Sequence, residues 1–588
     1  MTRYPKRGTR ERTDERPQMD NPRIFLWLAL LFLVWLNVDA WMKDYGRPGA
    51  PSAPAATAPA TAPAVAGGGP ASPLAESLPT VGAPAAGTAT AGSSEAGVPT
   101  GGAFAPGAVI HVVTDVLDMD ISLTGGDIVR ADLLEYPLKK DNPDLKVRLF
   151  NTDSTDSLFL YESGLTTGQA GRAEPNHKAQ FTAARSEYRL EPGEQELRIP
   201  LSWTDGQGLS VTKTFVLRRG GYAIDVGYDV DNATGEAVPL SPYAQLLRHW
   251  VPVERSMFNV ESYAFRGPAV YDGEKYSKLQ VDDEEDQQFT QTVTGGWVAA
   301  LQHHFVAAIV PQPGEAYRYA LKVQDKDYLL RVVGPAQVVA AGGRARIDER
   351  LFVGPKLQEQ LREAGPELQR TADYGKLTIL SQPLFWLLEK VHGYIGNWGW
   401  TIIIVTFLIK LVFYKLAETS GRSMAKMRTV APRMKVIQER YKDDREGQAR
   451  AMMELYKREK INPVAGCLPM IVQIPFFLAF YWVLLESVEM RQAPFMFWIQ
   501  DLSSRDPFFI LPLLMGGAMF LQFKLNPTPP DPVQAKVFAF MPIIMTAMFA
   551  WFPAGLVLYW LTNTVLSIAQ QWKINRLVEA EEKKRRTN

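Results

Sequence analysis

Cysteine is almost missing from this 588-residue chain: Cys467 stands alone, so no internal disulfide can form and an exported domain must hold together on its own core. Net charge is missing too, 63 Lys and Arg balancing 63 Asp and Glu, which argues against nucleic-acid binding and leaves DNA off the list of partners. Histidine is scarce and lopsided. All six (His111, His177, His249, His303, His304 and His392) precede residue 398, and the apolar segments beyond it hold no Asp or Glu. Intramembrane proteases and proton-coupled antiporters need ionisable groups at depth, because alkyl side chains build neither a metal site, nor a nucleophile–base pair, nor a proton relay. Those classes are excluded, and no metal site, cofactor or catalytic residue is expected. His303 and His304 are neighbours on what alternation reads as a strand, which sends their rings to opposite faces and argues against shared ligation. Cys467 lacks a partner base and reads as a small packing residue.

What is present is unevenly spread. A mean hydropathy of -0.11 averages over two solvents: the apolar excess lies in residues 24–41 and 398–572, while 42–390 has ordinary soluble composition. The chain divides into a cytoplasmic N-terminus (1–23), a first transmembrane anchor (24–41), a Pro/Ala/Gly-rich tether (42–107), an all-β domain (108–354), a helical segment (355–396), a five-helix core (397–572) and a basic tail (573–588). Seven Lys/Arg precede the first apolar run and set its N-terminus in the cytoplasm. Val38-Asp39-Ala40 also fits a small-x-small cleavage site, so a signal peptide is the alternative to an uncleaved anchor. The tether lacks the apolar area to offset its chain entropy and reads as flexible.

From Val109 onward the period is two. Tyr222, Ile224, Val226, Tyr228 and Val230 share one face, with Asp225, Asp229 and Asp231 on the other, after the turn Arg218-Arg219-Gly220-Gly221; Tyr317, Tyr319, Leu321 and Val323 repeat the pattern. Many short strands between Gly/Asn/Asp turns predict a sandwich. Leu384, Leu387, Leu388 and Val391 then form a helical stripe beside Phe385, Trp386 and His392, as in an interfacial helix.

Five apolar segments follow, at 398–416, 466–485, 508–523, 537–552 and 555–571. The connector Pro553-Ala554 is so short that the last two are expected to pair as a tight antiparallel hairpin. Residues 417–463 carry twelve Lys/Arg against seven Asp/Glu, and six more Lys/Arg follow Gln571, whereas 486–507 carries two basic and four acidic residues. Positive-inside bias puts 417–463 and both termini in the cytoplasm, with six spans and the β-domain outside.

One charge stands deep in a span. Lys410 costs about 2.5 to 3.5 kcal/mol there on insertion scales, and something must offset it. Snorkelling towards Lys415, roughly 7.5 Å along the helix, is one account. Convergence with other polar residues is the other: Thr406 is one turn earlier, Gln473 interrupts the third span, and Tyr559, Trp560 and Asn563 mark the last, so that three spans line a wetted cavity with one fixed cation. Interhelical hydrogen bonding would use the same Thr, Asn and Gln. The 16-residue segment 508–523 gives about 24 Å of helix against a ~30 Å core, so the bilayer thins locally. Met541, Met545 and Met548 offer a pliant apolar slide, or ordinary packing. Residues 417–463 read as a helical hairpin carrying Met424, Met427, Met434, Met452 and Met453, broken or kinked at Pro432 and turning at Lys442-Asp443-Asp444. It suits reception of nascent apolar segments, or a regulatory cap.

These segments resemble the YidC/Oxa insertase family, within it the Gram-negative members with a large periplasmic domain. The likeness is densest in Asn397-Trp398-Gly399-Trp400, Ser423-Met424-Ala425-Lys426-Met427, Asn462-Pro463, Gly466-Cys467-Leu468-Pro469 with Gln473-Ile474-Pro475, Arg491-Gln492-Ala493-Pro494-Phe495, Ile510-Leu511-Pro512 with Met515-Gly516, and Phe552-Pro553-Ala554-Gly555-Leu556-Val557-Leu558-Tyr559-Trp560. Gly296 to Phe305 matches the family's periplasmic part. The resemblance implies a β-supersandwich in the periplasm and five core helices around a hydrophilic groove. It also implies insertion and chaperoning of nascent membrane proteins without nucleotide hydrolysis, and contacts with the lipid bilayer, the Sec translocon, SecDF and the ribosome. Many members carry Arg where this chain has Lys410, so a role that needs a planar, bidentate fork is not carried over. Two rival readings stay open: a transporter or channel holding an anionic solute at Lys410, and an envelope carbohydrate-processing enzyme using the β-domain.

Overall fold

The computed structural model describes residues 108–169, 171–252, 262, 264–442, 444–459, 463–525 and 532–587, with Ser72, Leu74 and 77–79 of the tether. The segment 24–41, Asn462, Asp443 and the side chain of Cys467 lie outside the described residues, and with them the readings placed there.

Period-two alternation does form sheets. Among the described residues, Val109 to Pro355 builds an eleven-stranded and a nine-stranded sheet, which close over a single apolar core. The pairing is antiparallel apart from Val109–Val113 beside Glu187–Arg189. Ala223–Asn232 lies between Leu209–Arg218 and Arg344–Pro355 and buries Ile224, Val226, Tyr228 and Val230. Its outward Asp225, Asp229 and Asp231 pair across the sheet with Arg350 (2.6 Å), Arg346 (3.2 Å) and Arg344 (3.0 Å). A slip of one residue would turn that ladder into the core, so the pattern fixes the register.

One cation occupies an inward position. Lys213, 0% exposed, donates to the carbonyls of Gly125 (3.0 Å), Gly126 (2.9 Å) and Ser163 (3.0 Å). Burial pulls its pKa down to about 8 against the pull of Asp127, Glu349 and Glu162 in the other direction.

The histidine pair departs from expectation. His303 and His304 sit in the turn between Trp297–Leu301 and Phe305–Val310, outside either strand, and their rings stack at 3.8 Å instead of diverging, because strand alternation does not govern a turn.

The α-helices that follow the sandwich are α1 (Gln358–Ala364), α2 (Thr378–Ile395), α3 (Trp398–Val412), α4 (Tyr414–Arg440), α5 (Arg445–Arg458), α6 (Pro463–Glu486), α7 (Ile510–Leu525), α8 (Pro532–Phe549) and α9 (Ala554–Thr587). The amphipathic α2 buries Leu384, Phe385 and Leu388, leaves Trp386 exposed, and ends at Gly396 in the left-handed region (φ 68°). Asn397 caps α3 through the Trp400 amide (3.1 Å) and donates to the Phe495 carbonyl (2.9 Å). A Cβ on Gly399 would come within 2.0 Å of the Phe495 ring, so these two distant sequence stretches form one joint that admits only glycine there.

Three further expectations change. The chain bends by 70° at Phe413, so the hairpin's first helix starts at Tyr414 rather than 417. That helix runs through Pro432 unbroken, the lost backbone hydrogen bond being outweighed by packing of the neighbouring Val430 and Met434. Helices α8 and α9 do not pair as a hairpin: both pack on α7, where a Cβ on Gly516 would meet Thr546 Oγ1 at 2.0 Å. The small Gly516 admits α8 so closely that α7 takes the place expected for α9. Among the described residues no single helix is long and apolar enough to cross a membrane by itself; α3 with the first half of α4 passes as a bent pair.

Candidate functional site

The site is built where α3, α6 and α9 meet. Lys410 is twelve residues into α3 and Gln473 twelve residues before Leu485, so both lie about 18 Å along their helices from the ends nearest the β-domain. On α9, Tyr559, Asn563 and Ser567 recur every fourth residue and form a polar stripe down one face. Lys410 Nζ donates to Ser567 Oγ (2.8 Å), Ser567 Oγ donates to the Asn563 carbonyl (2.7 Å), and Gln473 Nε2 donates to Asn563 Oδ1 (2.8 Å). Thr406 Oγ1 satisfies itself on the Ile402 carbonyl (2.6 Å).

Thr406, Lys410, Gln473, Tyr559 and Asn563 thus line one hollow of about 30 Å³, closed by Phe413, Leu416, Val472 and Phe476. That volume holds about one or two waters. The Phe413 and Phe476 rings meet edge-on at 4.9 Å across its rim. Trp560 is not part of it: the indole packs against Phe477 (4.4 Å) and Phe549 (5.3 Å). Ser567 was not singled out in the sequence, although its place one turn after Asn563 on the same face marks it.

Electrostatically the site is one-sided. Lys410 is half-buried, its partner is a neutral hydroxyl, and among the described residues no carboxylate stands within ion-pair reach. An ammonium so held is desolvated without being neutralised, which suits it to attract a passing anion.

The methionines divide. Met427, Met434 and Met452 join Val430 and Leu455 in the hairpin's own core, while Met424 and Met453 stay half-buried outside it. On α8, Met545 packs on the helical core and Met541 is half-buried. Met548 is exposed, next to the more exposed Phe540, Ile543 and Ile544.

The β-domain is seated on the same end of the helices through a polar junction. Arg491 Nη2 and Gln492 Nε2 donate to the Pro137 carbonyl (2.8 and 3.0 Å), and His303 Nε2 donates to the Leu485 carbonyl (3.1 Å). Burial, reinforced by the positive Lys356, holds His303 down to about 3. Nearby, burial pushes Glu489 up to about 8.

The chain is similar to known proteins over most of its length. A family model described as 60Kd inner membrane protein matches residues 390–583, and one described as YidC periplasmic domain matches residues 109–387. The membrane protein insertase YidC of Nitrosococcus oceani is 45% identical over 568 residues, covering 96% of this chain and 100% of its own. That of Thioalkalivibrio sulfidiphilus is 45% identical over 582 residues, again covering 96% and 100%. Among solved structures, a crystal structure of active YidC insertase with its first transmembrane domain resolved covers 79% of this chain and 93% of its own, at 17% identity and a TM-score of 0.35.

Proposed function

The chain belongs to the YidC family of membrane protein insertases, inner-membrane proteins with a periplasmic domain, and from that premise we propose how its own residues move a passenger. The hairpin α4–α5, through Met424 and Met453, receives a nascent membrane-protein segment from the ribosome, alone or beside the Sec translocon and SecDF. The polar or acidic part to be exported enters the hollow and exchanges its water for Lys410, Ser567, Asn563 and Gln473. The apolar part leaves into lipid along α6 and the exposed face of α8, with Met548 at its end. Six spans, with both termini in the cytoplasm, follow from the positive-inside bias.

The observation that supports this reading best is the Lys410 ammonium itself, held at depth by a single neutral hydrogen bond in a small hollow whose walls are mostly apolar. A passenger is far larger than the present hollow, so entry requires Phe413 and Phe476 to part; the 70° bend at Phe413 sets the hinge beside that rim. The force is Coulombic attraction in a poorly screened site, followed by hydrophobic partition, with no bond made or broken.

The test uses vesicles containing only this chain and two short passengers that differ in their exported tail, one acidic and one neutral. Lys410→Ala should lower insertion of the acidic-tailed passenger about tenfold, the rate equivalent of about 1.4 kcal/mol, and leave the neutral one within about twofold. Equal loss for both rejects attraction by the charge, and saturable solute flux without insertion would favour a transporter.

A further inference from the structure

The sheet face turned away from the sandwich core is apolar at one place where alternation demands polar residues. Phe159–Thr166, Val238–His249 and Asp327–Val333 are consecutive neighbours in the eleven-stranded sheet. Tyr161, Leu246 and Leu330 point into the core, yet the alternating Leu160, Leu247 and Leu329 on the opposite face are buried as well. Something covers them. Leu74 of the tether, 6% exposed, lies in one cluster with Leu158, Leu160, Leu247 and Leu329.

Polar contacts register the same segment. Arg331 Nη2 donates to Ser77 Oγ (2.8 Å) and to the Ser77 carbonyl, while its Nε donates to Gln245 Oε1 (2.6 Å) and Gln245 in turn donates to Glu162. The Ser77 amide closes a turn on the Leu74 carbonyl (3.1 Å), and Ser72 and Pro79 are buried at either end. The sequence singles out the same spot: Leu74 and Leu78 are the only leucines between residues 42 and 107.

We propose that this slot on the outer face of the β-domain is a peptide-docking site whose ligand is the chain's own tether segment 72–79. Leu74 is the apolar anchor, and Arg331, oriented by Gln245 and Glu162, reads the Ser77 turn. Docking divides one tether of 66 residues into arms of 30 and 28 residues, 42–71 and 80–107. The linked segment meets the slot at millimolar effective concentration, so weak intrinsic affinity suffices to keep it seated.

The tether carries its own control, because Glu76 lies inside the docking segment and Glu95 outside it. A glutamate-specific protease applied briefly to the full chain in detergent, with fragments read by mass, should cut at Glu95 at least tenfold faster than at Glu76. Leu74→Asp, which lies outside the sandwich core, should bring the two rates within about twofold without lowering the unfolding temperature of the β-domain. Arg331→Ala should bring the two rates together from the slot's side as well. Equal cutting in the unaltered chain overturns the proposal, as does protection of Glu76 that survives Leu74→Asp.

Discussion

Lys213 and Lys410 both sit where lysine is costly, and they are held in opposite ways. Lys213 is enclosed by the sandwich, with three carbonyl acceptors and three carboxylates in electrostatic reach. Lys410 lies among the helices with one hydroxyl and no carboxylate. A buried charge whose donors are all satisfied is part of the scaffold; one with donors to spare is available to something that arrives. By this criterion the cation of the β-domain belongs to the scaffold, while that of the helical core keeps donors to spare, as the proposed role requires.

The largest expected effect comes from exchanging their roles. Lys213→Met leaves Asp127 and Glu349 buried without their cation and should cost the β-domain about 3 to 5 kcal/mol in denaturant unfolding of the full chain. Lys410→Ala, measured in the same way, should stay within about 1 kcal/mol, because the desolvation of the ammonium disappears with its single hydrogen bond. Comparable losses for both would erase the distinction. Lys410→Arg should keep insertion of acidic tails within about twofold in the vesicle assay, since charge rather than a point donor carries the attraction.

A smaller effect separates the junction from both lysines. His303 titrates near 3 when seated against Leu485 and near 6.5 when released, so its contribution to the seat is complete above about pH 6.5 and drains away as pH falls towards 3. Between pH 7 and pH 5 the loss reaches up to about 2 kcal/mol. Glu489, raised to about 8, works in the opposite direction, gaining as pH falls from 8 towards its unfolded value. Comparison with His303→Gln, which keeps a side-chain donor, isolates the histidine. Hydrogen-exchange protection around residues 302–305, corrected for the intrinsic rate at each pH, should fall on acidification in the parent more than in the variant, and identical acid responses would remove His303 from the account. The smallest effect is that of Ser567→Ala, which removes about 1 kcal/mol of hydrogen bonding and frees the ammonium. Insertion of acidic tails should hold or rise slightly, and a tenfold fall would mean that the hydroxyl, not the charge, meets the passenger.

Much of this contrast was legible in the sequence, and the failures have physical causes. Alternation in Ala223–Asn232 gave both its buried face and its outward Asp ladder, because a two-residue period leaves no other register. Lys410, Thr406, Gln473, Tyr559 and Asn563 were recognisable as polar residues in apolar runs, and the fold brings these five together. Ser567 shares the face of Asn563 one turn on, but serine in a helix costs little and so carries no hydropathy signal. Trp560 was assigned to the hollow by proximity in sequence, whereas one residue's step around a helix turns the side chain by 100°. The stacked histidines and the α7–α8–α9 order depend on a turn and on close approach at Gly516, neither of which a period reveals. Leu74 was hidden by composition: an average over the tether conceals a single anchoring leucine.

The claim that the helical cation faces the passenger is tested most directly by contact. Photoreactive side chains placed at Ser567 and, as a control, at the exposed Val565 two residues earlier on α9 would report where a stalled, acidic-tailed nascent chain lies. Capture of the tail from position 567 but not from 565, abolished by Lys410→Ala, is the predicted result. Capture from 565 alone, or from 567 regardless of Lys410, would contradict it.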